Sequence, residues 1–177
     1  LTALQTISLI KHDLNSNTLE VIFRVMTSLI QSNNEKIVCK TLLSYQMILE
    51  NQSENDDAVL NYALGLVNSC IQRPDEIAIA AINLLETVFR CSNPLGYQNY
   101  VSRNFEKLFE FISAFQADHQ NSQVGVSLSK AKQVLILTVS NDSLQKIDFV
   151  LEGLLARGEY SQASLQLIGA CIQRFPS

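Results

Sequence analysis

With 177 residues, the chain is long enough to bury roughly 70% of its unfolded surface, so a packed core needs neither metal nor disulfide. Its 13 Lys and Arg are scattered among 17 Asp and Glu (net charge -4), which argues against nucleic acid as the main partner. A hydrophobic fraction of 47% with only six Gly and three Pro points to helix nearly throughout and excludes a sheet of alternating strands between Gly-rich turns.

In chain order, apolar spacing first predicts a helix over Thr2–His12, carrying Leu4, Ile7, Leu9 and Ile10. The pattern is already under way at Leu1, and the chain stops at Phe175-Pro176-Ser177 where another helix is expected. The expectation is a piece of a longer protein. Asn15-Ser16-Asn17-Thr18 forms a turn, with Asn17 expected as N-cap and Glu20 completing a capping box. The helix Thr18–Ser32 places Leu19, Ile22, Val25, Met26, Leu29 and Ile30 on one stripe. After Asn33-Asn34, the helix Glu35–Glu50 buries Ile37, Val38, Thr41, Leu42, Tyr45 and Leu49.

An acidic loop then leads into the helices Val59–Arg73 and Glu76–Arg90, separated by a turn at Pro74-Asp75. Pro74 suits the first turn of the second of these. Neither can hide all its apolar surface alone, so the pair calls for copies on either side. Beyond Cys91 the rhythm loosens into the turn-rich stretch Ser92–Tyr100. Three predicted helices follow: Val101–Asp118 with Phe105, Leu108, Phe109, Ile112 and Phe115 on a stripe, then Gln123–Ser140, then Ser143–Arg157. A short Gly158-Glu159-Tyr160 link joins the last of these to Ser161–Arg174.

A gapless shift of about 41 positions lays Leu29-Ile30-Gln31 on Cys70-Ile71-Gln72, Glu35 on Glu76 and Leu43 on Leu84, a two-helix period of the HEAT or armadillo kind. The run Ile71-Gln-Arg-Pro-Asp-Glu-Ile-Ala-Ile-Ala-Ala-Ile-Asn-Leu-Leu85 resembles a HEAT turn, with Pro and Asp between helices and small and aliphatic residues opening the second. The Arg usual in that second helix is missing, and Ala78 and Ile79 stand nearby. The resemblance implies an all-α fold: an α-solenoid of antiparallel helix pairs, about nine helices, as one domain over 1–177. Cys70-Ile71-Gln72-Arg73 recurs as Cys171-Ile172-Gln173-Arg174, which would make Ser161–Arg174 open a new unit. Counting along the chain pairs it instead with Ser143–Arg157, and that pairing is adopted.

No stretch carries recognisable catalytic chemistry. His12 and His119 sit at helix ends without fixed polar company in sequence. Cys39, Cys70, Cys91 and Cys171 lie in or beside apolar helical runs, without C-x-x-C or Cys/His spacing, and read as reduced intracellular thiols. Asp56-Asp57 and Asp75-Glu76 suit helix starts, where they meet the positive dipole end. The glycines are isolated and form no phosphate loop. The expectation is a non-enzyme with no cofactor and no metal. The sequons at Asn51 and Asn141 are what a chain rich in Asn and Ser produces by chance. No apolar run reaches the length of a membrane span and no signal peptide is visible, so the location expected is intracellular, cytoplasmic or nuclear, with no membrane contact.

The solenoid instead directs attention to surfaces. Second helices of such pairs line a docking side, and Asn83, Glu86 and Arg90 at i, i+3, i+7 are expected on one outer face, as are Lys36 and Lys40. Tyr97 and Tyr100, flanking Gln98-Asn99, and Phe111, off its helix's stripe, are candidate aromatic anchors. The plainer reading is a solvated charged face and packing between repeats. A partner helix adding to the stack would meet Leu4 and Ile7 or Leu167 and Ile168. The function expected is a protein-protein interaction module of a larger scaffold or regulatory protein, taking a partner helix or peptide. The alternatives are a nucleic-acid-binding repeat using Arg103, Lys107, Lys130 and Lys132, or part of a cargo carrier.

Overall fold

Asn15, rather than Asn17, starts the first helix of the computed structural model: its side chain accepts from Thr18 N at 2.9 Å. The cap falls two residues early because Asn15 is the Asn with extended backbone, which lets its side chain turn onto the third amide ahead. The structure describes residues 14–52, 57–91, 98–119, 122–140, 144–158 and 161–175. The predicted helix Thr2–His12 lies outside them. Among the described residues every regular element is a helix, eight in all. The chain divides into two compact units, Leu1–Cys91 and Ser92–Ser177.

The first unit contains α1 (Ser16–Ile30), α2 (Glu35–Asn51), α3 (Asp57–Cys70) and α4 (Asp75–Arg90). Helix α1 packs on α2 and α3, while α4 packs on α3 and α2. Each helix therefore touches both its neighbour in sequence and the helix two places away. Asn34 caps α2 by accepting from Lys36 N and Ile37 N. Pro74 stands just before α4 rather than in its first turn, with extended ψ and no side-chain cap. Its ring cannot donate an amide, and its carbonyl accepts the first helical bonds from Ile77 and Ala78.

The burial patterns of the second and fourth helices correspond at a shift one residue shorter than the letters suggest. Helix α2 starts at Glu35 and α4 at Asp75, a shift of 40. At that shift all of Val38, Thr41, Leu42, Ser44, Tyr45, Ile48 and Leu49 fall on buried residues: Ala78, Ala81, Ile82, Leu84, Leu85, Val88 and Phe89. The outward positions correspond as well, Lys36 with Glu76 and Leu43 with Asn83. On α1 the buried stripe runs Leu19, Phe23, Met26, Ile30, with Ile22 beside it. Val25, expected inside, is 51% exposed because it lies about 120° round the helix from Leu19.

The centre of this unit is aromatic. The Phe23 ring lies 4.7 Å from Tyr62 and 5.0 Å from the fully buried Tyr45. Both hydroxyls find backbone acceptors, as buried phenols require. Tyr45 donates to the Val59 carbonyl at 3.0 Å and Tyr62 to the Phe23 carbonyl at 2.5 Å.

The second unit contains α5 (Gln98–Asp118), α6 (Gln123–Thr138), α7 (Leu144–Arg157) and α8 (Gln162–Ile172). Ser122 and Ser161 cap α6 and α8, accepting from Gly125 N and Ser164 N. Gly158 ends α7 with φ of 65°, a left-handed conformation that favours glycine. Helix α5 packs on α6, and α8 packs on both α7 and α6. Thus α8 pairs with its counted neighbour and also lies against the helix two places back. Ser102 and Ser140 fasten α5 to the end of α6 through a 3.0 Å hydroxyl bond. Lys146 donates to the Ser102 carbonyl at 2.9 Å, drawing in the start of α7.

Candidate functional site

The outward stripe of α2 is built by Lys36, Lys40, Leu43 and Met47, spaced i, i+4, i+7, i+11 and therefore stacked on one side. Lys36 and Lys40 are exposed and Met47 is half-buried. Leu43 is 54% exposed, although its neighbour Leu42 is buried. On α4 the equivalent stripe carries Glu76, Asn83 and Arg90, all exposed. Helices α2 and α4 pack side by side in the first unit. Glu76 comes close enough to the Cys39 thiol, on α2, to disfavour its ionisation.

Glu86 departs from the expected outer face: it is buried, 5% exposed. Arg90, one turn on, lays its guanidinium 3.3 Å from a Glu86 oxygen, and Glu86 sits to one side of the Asn83 line, next to buried Thr87 and Leu85. It orients Arg90 rather than presenting a free carboxylate.

Tyr97 lies outside the described residues. Tyr100 is buried, 4% exposed, one residue before the buried Val101, because α5 starts at Gln98 rather than Val101 and makes this a core position of its first turn. Phe111 is half-buried, edge-on to Phe115 at 5.0 Å. Of the basic residues, Lys130 is exposed while Lys132 is 7% exposed, its ammonium 5.0 Å from the Phe109 ring centre. That cation-π placement keeps Lys132 from serving an outward phosphate contact. Leu167, expected as a stacking contact, is buried, and its neighbour Leu165 is the exposed one.

The thiols are held in their neutral form. Burial pushes Cys91 and Cys171 from 9.0 up to about 11. Burial also raises Cys39, with Glu76 and Glu35 acting in the same direction. At Cys70 burial outweighs the opposing Arg73 guanidinium. An activated nucleophile requires the opposite shift. Among the described residues no group of three His, Cys, Asp or Glu could hold a metal ion, and no helix is long and apolar enough to cross a membrane.

Set against known proteins, the chain matches no family model, no curated protein and no solved structure. Leu43 is the member of the surface that sequence reasoning missed. Continuing the Lys36–Lys40 line by three residues reaches it, and the predicted buried stripe of that helix already leaves it out.

Proposed function

We propose that this chain is a HEAT/armadillo-like helical repeat that binds another protein along the outward ridges of α2 and α4. The observation that carries the reading is Leu43, 54% exposed on the same stripe as two lysines. A solvent-facing leucine with cations one turn away suits a partner segment with an apolar anchor and an acidic neighbour. The matching burial of α2 and α4 supports a reading as stacked like hairpins. Asn83 and Arg90 would set register along the second ridge, with Glu86 fixing the Arg90 head. The role is passive recognition within a larger scaffold or regulatory protein, and the reading places it inside the cell, in keeping with four free thiols.

Photo-crosslinkers placed at Leu43 and Asn83 test this. Crosslinks from both to one continuous segment of a captured protein support it. A captured protein that stays bound to the chain yet gives no crosslink from either position overturns it.

A further inference from the structure

Two helices carry like charges one turn apart that nothing on the same helix offsets. On α2, Lys36 and Lys40 are exposed, and no acidic residue stands three or four positions from either. On α7, Asp148 and Glu152 are exposed, and no basic residue stands at those positions. Like charges at this spacing weaken the helix that carries them, so the fold of each unit gives no reason for either pair. Other charged helices differ. Arg24 on α1 pairs with Glu20, and on α5 Arg103 and Lys107 each have a glutamate three residues on. None of the four charges on α2 and α7 makes an ion pair among the described residues. Lys146, also on α7, turns instead to the Ser102 carbonyl and to Glu106. Glu35 lies about 100° round α2 from Lys36.

The two faces also match beyond their charges. Three residues past Lys40 stands Leu43, 54% exposed, and three past Glu152 stands Leu155, 48% exposed. Laid side by side in the same direction, α2 of one molecule sets Lys36 against Asp148, Lys40 against Glu152 and Leu43 against Leu155 of another. In the reverse direction Leu43 meets Gln145. Any helix offers this spacing. What is particular here is opposite charge at both polar positions and leucine at the third. Phe149, 75% exposed beside the two acids, adds apolar area at the edge. At about 0.1 M salt the screening length of about 10 Å masks the repulsion between copies that carry -4 overall, and leaves pairs in contact in force.

We propose that the outward stripe of α2 receives the α7 face of a second copy of this chain. The inference rests on the reading of that stripe as a docking surface and names an occupant for it. The contact joins unlike surfaces, so copies link head to tail, into closed rings or open chains.

The test is the mass of the intact chain in solution by light scattering, with folding followed by circular dichroism. Association is expected on the order of 100 µM, and should weaken at least about threefold between about 0.1 M and about 1 M salt. Lys36→Glu with Lys40→Glu, and separately Asp148→Lys with Glu152→Lys, should each weaken it at least about tenfold. An equal mixture of these two variants should associate again, because each reversed face then meets its opposite. A wild-type chain that stays monomeric overturns the proposal. So does association that is indifferent to salt or survives either reversal, and so do two folded reversal variants that stay apart when mixed. A monomeric chain whose Leu43 crosslinker still labels another protein overturns this contact and supports the docking reading. Association restored by mixing, while a captured protein gives no crosslink from Leu43 or Asn83, does the reverse.

Discussion

The Arg73 guanidinium, at the end of α3, reaches back to the Ile30 carbonyl at the end of α1, 2.5 Å away, and to Ser32 O at 2.9 Å. These are carbonyls at and just past a helix C-terminus, which lack partners within their own helix. Arg174 has the same relation to the second unit: at the end of α8 it donates to the Val139 carbonyl that closes α6. The recurring Cys-Ile-Gln-Arg is thus a tie between a helix and the one two places earlier. Replacing Arg73 or Arg174 by Met should cost about 1.5–3 kcal/mol each, since each removes charged hydrogen bonds to half-buried carbonyls. Arg73→Lys should recover less than half of its loss, having no fork to span two acceptors. Urea unfolding of the variants measures both.

Two i, i+4 ion pairs should differ sharply in worth. Arg24 and Glu20 are 76% and 61% exposed, so Arg24→Ala should change stability by less than about 0.5 kcal/mol. Glu86 is 6% exposed beneath a 59% exposed Arg90. Arg90→Ala leaves a buried carboxylate behind and should cost about 1–2 kcal/mol. Adding Glu86→Gln should restore most of that, a comparison a double-mutant cycle makes directly.

In the aromatic centre, Tyr45→Phe keeps the ring and removes the hydroxyl's bond to the Val59 carbonyl, for a loss of about 1 kcal/mol. Phe23→Ala empties the space beside Tyr45 and Tyr62 and should cost about 3–5 kcal/mol. Thermal unfolding should rank the two in that order.

Stability should also fall at alkaline pH. Cys171 ionises near 11 when folded against 9.0 unfolded. Between those values the unfolded chain has released a proton that the folded chain retains, which favours unfolding. Its contribution is complete below pH 9 and is lost as pH approaches 11. Cys171→Ala should flatten the decline in urea midpoint between pH 8.5 and 10.5 (about two units) relative to the wild type.

Much of the helical fold was readable because the 3.6-residue period is strong: the stripe through Val38, Leu42, Tyr45 and Leu49 is continuous in the letters and buried in the structure. The turn-rich stretch from Ser92, where the rhythm loosens, adjoins the division after Cys91, although the letters read as one domain over 1–177. What was hidden depends on rotation about a helix axis. A register of 41 matches Leu43 to Leu84, yet one is exposed and the other buried, because 40 is the spacing that preserves facing. One residue turns a helix by about 100°, so identity scoring cannot separate the two. The burial of Glu86 and Lys132 was hidden for a related reason. Their partners, Arg90 and Phe109, settle whether a charge points out or lies covered.

The most direct measurement is affinity capture by the intact chain in three forms: wild type, Leu43→Glu, and Val126→Glu. Val126 is 61% exposed on α6, in the second unit, so it controls for added charge. The account predicts that at least one protein is held by the wild type and by Val126→Glu and is lost with Leu43→Glu, the fold being unchanged by circular dichroism. Identical captured sets for all three forms would contradict it.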